Sequence, residues 1–357
     1  MLKRLQTVIL TAQLASWFLL PGCMLNPLDD DQEYQPYEWE ISRPAEQGLD
    51  SLQLARAHTR ALTIPEMRSL LVVRNGYLVA EHYYQGADEN ALWHTRSATK
   101  SVISALVGIA IEQGYIDSVD QRLSDLLPAY FNSETDSAKF DITVRHLLTM
   151  TAGLEWEENG LLQDQWYYSS NWLAFTISLP LESAPGTIFE YNSALPHLLS
   201  GIIAVQTGMN TSRYAEHFLF DSLGIVSYRW ELSPEGVPMG GFGLYLTPRD
   251  MARFGQLYVE GGQVDGRQIL SDEWVRDSMR KHVVPGIATA DGYGYLWWKK
   301  PFEFIKNCVA IGAGGQMIYC FPNLRLVVVT TATFPGDAGY QVLDGLVEQY
   351  ILAAVRD

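Results

Sequence analysis

Ser97 and Lys100 stand at the head of a strongly apolar segment, SVISALVGIAIEQG, that runs from residue 101 to 114. A helix that is apolar on nearly all sides must be buried inside a large protein. A serine and a lysine three residues apart lie on the same face of such a helix. The lysine amine can then take the serine proton, provided that burial or a nearby cation keeps it partly neutral. The pattern therefore predicts a nucleophile and its base at the start of a buried helix that ends near Gly114.

An S-x-x-K pattern alone is weak evidence, and the chain holds a second match, Ser278-Met279-Arg280-Lys281. This second match closes the charged stretch SDEWVRDSMRK, so we expect a solvated helix end without catalytic function. Ser97 instead follows two apolar runs separated by Arg74-Asn75-Gly76, which is a hairpin signal. The simpler alternative for Ser97 is a helix N-cap.

The order of the remaining patterns predicts an α+β fold. In the 357-residue chain, residues 48–62 have helical spacing, residues 68–84 form a hairpin, and short β-rich runs follow residue 290. Strands near both ends predict one antiparallel sheet that is made from both termini and flanked by helices. We expect an α/β lobe of residues 48–114 and 285–357, a mainly helical lobe of residues 115–284 inserted into it, and a site in the cleft between them.

The first residues are typical of an export signal rather than of the fold. Lys3 and Arg4 precede the apolar run VILTAQLASWFLL, which is short for a membrane span, and the sequence LPGC ends at Cys23. This ending resembles a bacterial lipobox, so we expect a signal peptide over 1–23, a lipid on Cys23 and an acidic tether over 24–47. The expected location is the periplasm-facing bacterial cell envelope, with Cys23 as the only membrane attachment. Ordinary secretion and an uncleaved anchor are the alternatives.

Charge and composition exclude several classes of partner. The net charge is −16 and the chain has no basic runs, which argues against nucleic acid and anionic lipid as ligands. No C-x-x-C, H-E-x-x-H or phosphate-binding glycine pattern occurs, so we expect neither a metal nor a cofactor. Cys308 and Cys320 lie symmetrically about Gly314, so a hairpin would place them opposite each other. Both a disulfide and two buried free thiols fit this placement, and the free thiols are favoured.

Tyr191 is the candidate for a third catalytic group. It lies in FEYNS, between the turn Pro185-Gly186-Thr187 and an apolar helical segment, so its side chain could face the cleft. Next to Lys100 the pKa of the phenol could fall, which would let it act as acid or base. The alternative is that Tyr191 is a packing residue, as tyrosine often is.

Five separate segments of the chain, in order and in spacing, match one family. They are SATK (97–100), ITVRHLLTMTAGLEW (142–156), PGTIFEYNSALPHLLSGII (185–203), GGFGLYLTPRDMARFGQLYVEGG (240–262) and AIGAGGQMIYCFPNLRLVVV (310–329). Over residues 50–355 the chain resembles the class C β-lactamase-related serine hydrolases, in particular the 6-aminohexanoate-dimer hydrolase-like branch. The resemblance implies the penicillin-recognising-enzyme fold.

The resemblance also implies residue roles. Ser97 is then the acylated nucleophile, Lys100 its base partner, and Tyr191 the tyrosine of the family's Y-x-N, here Y-x-S with Ser193 in the supporting position. The backbone N–H groups of Ser97 and Ala313 would form the oxyanion hole.

The Lys-Thr-Gly element of the lactamases falls on Ala310-Ile311-Gly312, where the lysine is absent. Gly312 would support the oxyanion strand, and it and the glycines at 314 and 315 would let substrate approach closely. The missing lysine favours a small amide or ester over a β-lactam, unless a cation such as Lys306 replaces it.

The sequence thus predicts a serine hydrolase that cleaves a small amide or ester through an acyl-enzyme on Ser97. A β-lactamase or D,D-peptidase is the alternative reaction, and a catalytically silent binding protein on the same fold is the alternative of another class. A Ser-His-Asp α/β-hydrolase is disfavoured because no G-x-S-x-G occurs. The Trp and Tyr residues of 156–172 either line the cleft or pack in the core, and packing is favoured.

Overall fold

The first two strands form the hairpin that the sequence predicts. In the computed structural model, α1 (Ser51–Leu62) precedes β1 (Met67–Arg74) and β2 (Tyr77–Tyr83). Asn75 and Gly76 make the turn between these strands with φ of 52° and 87°. Asparagine and glycine adopt this left-handed conformation most readily, which explains why these two residues predicted the hairpin correctly.

The apolar segment after Ser97 is a buried helix, as predicted. A short strand, β3 (Trp93–His94), leads into a 3-10 turn at Arg96–Ala98 and then into α2 (Thr99–Glu112). All residues from Thr99 to Ala110 are buried. The chain leaves the helix through Gly114, whose φ is 77°. Ser97 is therefore held in a tight turn directly before a helix that cannot move without disrupting the core.

The inserted lobe is mainly helical, with short elements joined by loops. Its helices are α3 (Leu123–Leu126), α4 (Val144–Leu148), α5 (Leu161–Tyr167), α6 (Trp172–Ser178), α7 (Ala194–Thr207), α8 (Thr211–Ala215) and α9 (Asp221–Leu223), with a π-helical turn at Glu216–Phe220 and 3-10 turns at Pro128–Tyr130 and Ser137–Asp141. Two strands, β4 (Arg229–Trp230) and β5 (Leu244–Leu246), join β3 in a small sheet of order β3-β5-β4. The sequence did not predict this sheet because strands of two or three residues are too short to show an alternating pattern.

The helix that follows belongs to the sheet rather than to the inserted lobe. α10 (Pro248–Val259) packs against strands of the main sheet. At Gly255 an added Cβ would lie 2.7 Å from a methyl group of Val327, so glycine is what permits this close approach. The predicted lobe boundary at 284 is therefore wrong, because amphipathic spacing shows that a helix has an apolar face but not which partner covers it. A small hairpin of β6 (Gln263–Val264) and β7 (Arg267–Gln268) and then α11 (Asp272–Met279) follow.

The C-terminal strands complete one antiparallel sheet made from both ends of the chain, as predicted. They are β8 (Gly292–Tyr293), β9 (Trp298–Lys299), β10 (Cys308–Gly312), β11 (Gln316–Phe321) and β12 (Leu326–Ala332). The sheet order is β2-β1-β12-β11-β10-β9-β8. The chain closes with α12 (Tyr340–Leu346), a π-helical turn at Val347–Ile351 and a 3-10 turn at Leu352–Ala354.

Both faces of the sheet are buried, in two separate apolar cores. Alternate residues of β1 divide between them: Leu71 and Val73 pack with α2 and the helical lobe, whereas Leu70 and Val72 pack with α1 and α12. This arrangement follows from the period of two along a strand. It explains why the sheet strands read as continuous apolar runs instead of alternating ones.

The two cysteines lie opposite each other across the hairpin of β10 and β11, as predicted. Cys308 pairs in register with Cys320, and both are buried free thiols. The structure thus agrees with the favoured of the two readings. Burial raises the pKa of the Cys320 thiol, which keeps it unreactive.

The structure describes residues 35–302 and 305–356. The predicted signal peptide over 1–23, its lipidation site Cys23 and the first part of the predicted tether, residues 24–34, lie outside the described residues. Within the described part, no helix is both long and apolar enough to span a bilayer.

The second part of the predicted tether packs on the domain. Trp39 is only 8% exposed. Ile41 forms a parallel bridge with Leu78, and Pro44–Gln47 forms a 3-10 turn. The tether prediction is therefore wrong for residues 35–47. Proline and acidic residues indicated a solvated segment, but the aromatic residues among them are anchored on the fold.

Candidate active site

Ser97 and Lys100 are brought together as the sequence predicts. Lys100 Nζ donates a hydrogen bond to Ser97 Oγ over 2.9 Å. The lysine is only 1% exposed, and burial lowers the pKa of its amine to about 8, against the opposing charge of Glu158. Arg96, directly before the serine, has φ of 53°, a strained value for a side chain of this size. Lowering the pKa increases the neutral fraction of Lys100 near neutral pH, and a neutral amine at this position can accept a proton from Ser97.

Tyr191 lies beside this pair but does not show the predicted electrostatics. Its ring centre is 4.8 Å from Lys100 Nζ. Burial, and then the charge of Glu158, raise the pKa of the Tyr191 phenol, although contact with the Ser97 hydroxyl lowers it. The expected fall in pKa next to Lys100 is therefore wrong. Tyr191 carries its proton at neutral pH, so the arrangement equips it to act as an acid.

Glu158 is a polar residue of the site that the sequence analysis missed. Its Oε1 accepts a 2.5 Å hydrogen bond from Ser193 Oγ, and its Oε2 accepts from the Ser193 backbone N–H over 3.0 Å. The Trp156 indole N–H also donates to Oε2, over 2.7 Å. Ser193 in turn accepts from Lys100 Nζ over 3.0 Å. The sequence did not predict the connection from Glu158 through Ser193 to Lys100. Glu158 lies in WEEN among three adjacent acidic and amide side chains, and no pattern shows which of them faces the site.

The predicted oxyanion strand lies against the nucleophile turn. Ser97 and Ala313 line the same cavity. An added Cβ at Gly312 would lie 2.1 Å from the Thr95 carbonyl oxygen. The expectation that Gly312 makes room for substrate is therefore wrong at this position, because the space is filled by the protein's own backbone. Glycine there lets β10 pack against the turn that carries Ser97.

The site opens into a cavity of about 740 Å³ between the helical lobe and the sheet. Its aromatic lining comes from Tyr191, Trp298 and Tyr340. Trp156, by contrast, lies in the core, as do the tryptophans at 166 and 172. The favoured reading of the 156–172 aromatics as packing residues therefore describes these three tryptophans. The remaining lining residues are Ser97, Glu158, Asn159, Ile287, Thr289, Ala290, Lys300, Ile311, Ala313, Gly336, Asp337, Ala338 and Gln341.

A family model described as Beta-lactamase matches residues 56–350. The chain belongs to the beta-lactamase family. This confirms the predicted resemblance at family level, and with it a hydrolase of the β-lactamase-related type. The predicted α+β fold, with an antiparallel sheet and an inserted helical lobe, is confirmed as well.

Individual relatives of this family member are distant. A 6-aminohexanoate-dimer hydrolase of Paenarthrobacter ureafaciens is 24% identical over 304 residues, which cover 75% of this chain and 72% of that protein. A Bacillus anthracis structure described as a candidate 6-aminohexanoate-dimer hydrolase has a TM-score of 0.73 at 23% identity and covers 90% of this chain and 88% of its own. The structure of a family VIII carboxylesterase has a TM-score of 0.66 at 16% identity, and the match covers 86% of this chain and 99% of that one. These structural likenesses establish the shared fold.

The side chain of Lys300 lines the cavity of this beta-lactamase family member, but its charge is paired with that of Asp344. Lys300 Nζ is 2.7 Å from Asp344 Oδ2, and the lysine side chain is 2% exposed. Lys306, which the sequence suggested as a replacement for the missing lysine, is exposed and does not line the cavity. The sequence analysis missed Lys300 because its position depends on the path of β9.

The other patterns in the sequence contribute nothing to the site. Ser278 is fully buried at the end of α11 while Lys281 is exposed, and neither lines the cavity. The second S-x-x-K is thus structural, although the serine itself is not solvated as expected. Among residues 35–302 and 305–356, no three His, Cys, Asp or Glu side chains group together in a way that could hold a metal ion.

Proposed function

We propose that this protein is a serine hydrolase that cleaves a small amide or ester through an acyl-enzyme on Ser97. The observation that carries the proposal is the 2.9 Å contact between Lys100 Nζ and Ser97 Oγ at a cavity. Lys100 is almost fully buried, which favours its neutral form. A buried lysine with a lowered pKa next to a cleft serine is the arrangement required to activate a hydroxyl without histidine.

Each step follows from the positions of these groups. Lys100 removes the proton of Ser97, and Ser97 Oγ attacks the substrate carbonyl carbon. The oxyanion that forms accepts hydrogen bonds from the backbone N–H groups of Ser97 and Ala313. When the carbon–nitrogen or carbon–oxygen bond breaks, the Tyr191 phenol gives its proton to the leaving group, and the Lys100 ammonium returns a proton to Tyr191. Water then attacks the acyl-enzyme by the same steps in reverse order and releases Ser97.

A small amide or ester fits this cavity better than a β-lactam. Recognition of the β-lactam carboxylate calls for a free cation, and Ala310 occupies the place of the family lysine. Lys300, the cation in the cavity wall, is neutralised by Asp344. The lining also carries the acidic side chains of Glu158 and Asp337, which would repel a carboxylate. The relatives named as a dimer hydrolase and a carboxylesterase support the same direction.

A labelling experiment followed by substrate profiling tests the proposal. The purified chain without residues 1–23 is treated with a fluorophosphonate probe, and the labelled peptide is located by mass spectrometry. We expect the label on Ser97 and none on Ser278. The same protein is then assayed with nitrophenyl esters, short ω-amino amides and nitrocefin. Absence of both labelling and turnover would instead favour the catalytically silent binding protein.

We also propose that the protein is exported and held at the bacterial cell envelope by a lipid on Cys23. The basis is the LPGC ending after a basic and apolar N-terminal run. A diacyl anchor gives stable membrane attachment without a spanning helix. Membrane contact would then be confined to Cys23, and the hydrolase domain would face the periplasm.

A further inference from the structure

The Lys100 amine has three polar neighbours, and they differ in what they can do. Nζ donates to Ser97 Oγ over 2.9 Å, to Ser193 Oγ over 3.0 Å and to the Gly241 carbonyl over 2.8 Å. The carbonyl of Gly241 can only accept a hydrogen bond, whereas each serine hydroxyl can either donate or accept. As an ammonium ion, Lys100 satisfies all three neighbours. As a neutral amine it has two N–H groups and one lone pair, so one neighbour must donate to it.

Glu158 settles which hydroxyl is free to donate. Its two oxygens accept from three donors, the Ser193 hydroxyl, the Ser193 backbone N–H and the Trp156 indole, as an ionised carboxylate does. A hydroxyl has a single proton, and Ser193 uses it to donate a hydrogen bond to Glu158. Ser193 Oγ therefore faces Lys100 with a lone pair and can only accept.

We infer that Glu158 is a positioning residue that directs the lone pair of the neutral Lys100 amine toward Ser97. The two N–H groups of the amine are engaged by Ser193 Oγ and the Gly241 carbonyl, neither of which can donate to it. The lone pair of the amine then points toward the Ser97 hydroxyl, whose proton must be removed for acylation. This inference rests on the proposed function, in which Lys100 is the base for acylation.

The backbone holds this arrangement from three separate segments. Glu158 lies in the loop before α5, Ser193 directly precedes α7, and Gly241 lies in the loop before β5. An added Cβ at Gly241 would lie 2.4 Å from the Ser193 carbonyl oxygen, so the two segments are in direct contact. The polarity of the hydrogen bonds is therefore a property of the tertiary fold and not of the S-x-x-K helix.

Glu158→Gln is the discriminating variant because it changes the polarity but little of the shape. The amide can donate to Ser193 Oγ, which frees the Ser193 proton to turn toward Lys100 and occupy its lone pair. We expect the rate at which the fluorophosphonate labels Ser97 to fall roughly ten- to a hundredfold. This is the rate change that corresponds to the free energy of one hydrogen bond to a charged group. Glu157→Gln, an exposed change of equal charge next to it, is the control and should leave the rate unchanged.

The pH dependence provides a second readout that a merely structural role would not move. Glu158 and Tyr191 are the titratable side chains that face Lys100 in the described part of the chain. Glu158 raises the pKa of Lys100 against the effect of burial. Its replacement by glutamine removes that charge, so the acid limb of the acylation rate should move to lower pH while the plateau falls. Partial unfolding would lower the labelled fraction and leave the limb in place.

Substitutions of Ser193 test the same polarity from the other side. Asparagine can donate its amide N–H to Glu158 and accept from Lys100 with its carbonyl, whereas alanine can do neither. We expect Ser193→Asn to acylate roughly tenfold faster than Ser193→Ala. Equal rates for the two variants would overturn the inference, as would a wild-type rate or an unshifted acid limb in Glu158→Gln.

The inference and the proposed function fail in different ways. An unlabelled Ser97 in the wild type overturns both. A wild type labelled at Ser97, together with a Glu158→Gln variant that behaves like the wild type, overturns the positioning role alone.

Discussion

The Lys100 amine lies 4.8 Å from the centre of the Tyr191 ring, and the protein moves the pKa values of the two groups in opposite directions. Burial lowers the pKa of Lys100 to about 8, whereas burial and the charge of Glu158 raise the pKa of Tyr191. Burial disfavours the charged form in both cases, which is an ammonium for lysine and a phenolate for tyrosine. Two neighbouring groups with separated pKa values are suited to separate tasks, a base and an acid.

The pH profile should reflect this separation. We expect kcat/KM to rise with pH through about 8, because Lys100 must lose its proton before it can accept one from Ser97. The alkaline limb should lie above the ordinary phenol value of 10.0, because Tyr191 keeps its proton to higher pH than a free phenol. Steady-state rates with a nitrophenyl ester between pH 5.5 and 10.5 measure the acid limb and test whether activity persists up to the ordinary phenol value. A profile that falls with rising pH near 8 would contradict the assignment of Lys100 as the base.

Replacement of the nucleophile should abolish covalent catalysis. Ser97→Ala removes the proposed site of acylation, so we expect kcat to fall by at least roughly three orders of magnitude on any substrate found. Ser278→Ala, at the other S-x-x-K, serves as the matched control and should retain its activity. The opposite result, with turnover intact in Ser97→Ala and lost in Ser278→Ala, would mean that the wrong motif has been chosen.

Loss of either proton-transfer group should affect turnover more than binding. Tyr191→Phe removes one hydroxyl and Lys100→Ala removes the amine, and in the proposed mechanism both groups act in the transition state. We expect kcat to fall in each variant by roughly 10²- to 10⁴-fold, with KM changed far less. Measured kcat and KM values decide this, and an effect confined to KM in both variants would refute the roles.

Substrate preference should follow the charge of the cavity. A cation that binds a carboxylate contributes charge-assisted hydrogen bonds of about 1.5–3 kcal/mol each, or roughly ten- to over a hundredfold in kcat/KM. Uncharged esters do not need this cation, and Lys300 is neutralised by Asp344. We therefore expect measurable cleavage of nitrophenyl acetate or butyrate and little cleavage of nitrocefin, with both lost in Ser97→Ala. Nitrocefin turnover near that of a dedicated lactamase would overturn this preference.

The proposed location at the cell envelope makes a prediction about Cys23. Cys23→Ser removes the thiol that would carry the lipid, so the protein should move from the membrane fraction to the soluble or precursor fraction. Fractionation combined with palmitate labelling measures this shift. A wild-type protein that carries no lipid and is fully soluble in the periplasm would contradict the lipid anchor.

The sequence by itself determined the helix that carries the nucleophile and the elements of the main sheet. The segment after Ser97 is apolar on nearly all sides, so it is stable only when buried. Asn75 and Gly76 specified the hairpin through a turn that few other residue pairs can form. The symmetric spacing of Cys308 and Cys320 gave their pairing in β10 and β11, because register in a tight hairpin follows from counting residues. Each of these features depends on local geometry, which can be predicted from the amino-acid sequence alone.

The tertiary structure decided which groups surround Lys100. Glu158, Ser193 and Gly241 come from three loops that are far apart in sequence, and no spacing rule connects them. The rise in the Tyr191 pKa depends on burial and on Glu158, neither of which can be deduced from FEYNS. Likewise, the Thr95 carbonyl fills the space beside Gly312 because two segments that are far apart in sequence meet there. Electrostatics and close backbone contacts depend on distances through space, and only the folded chain sets those distances.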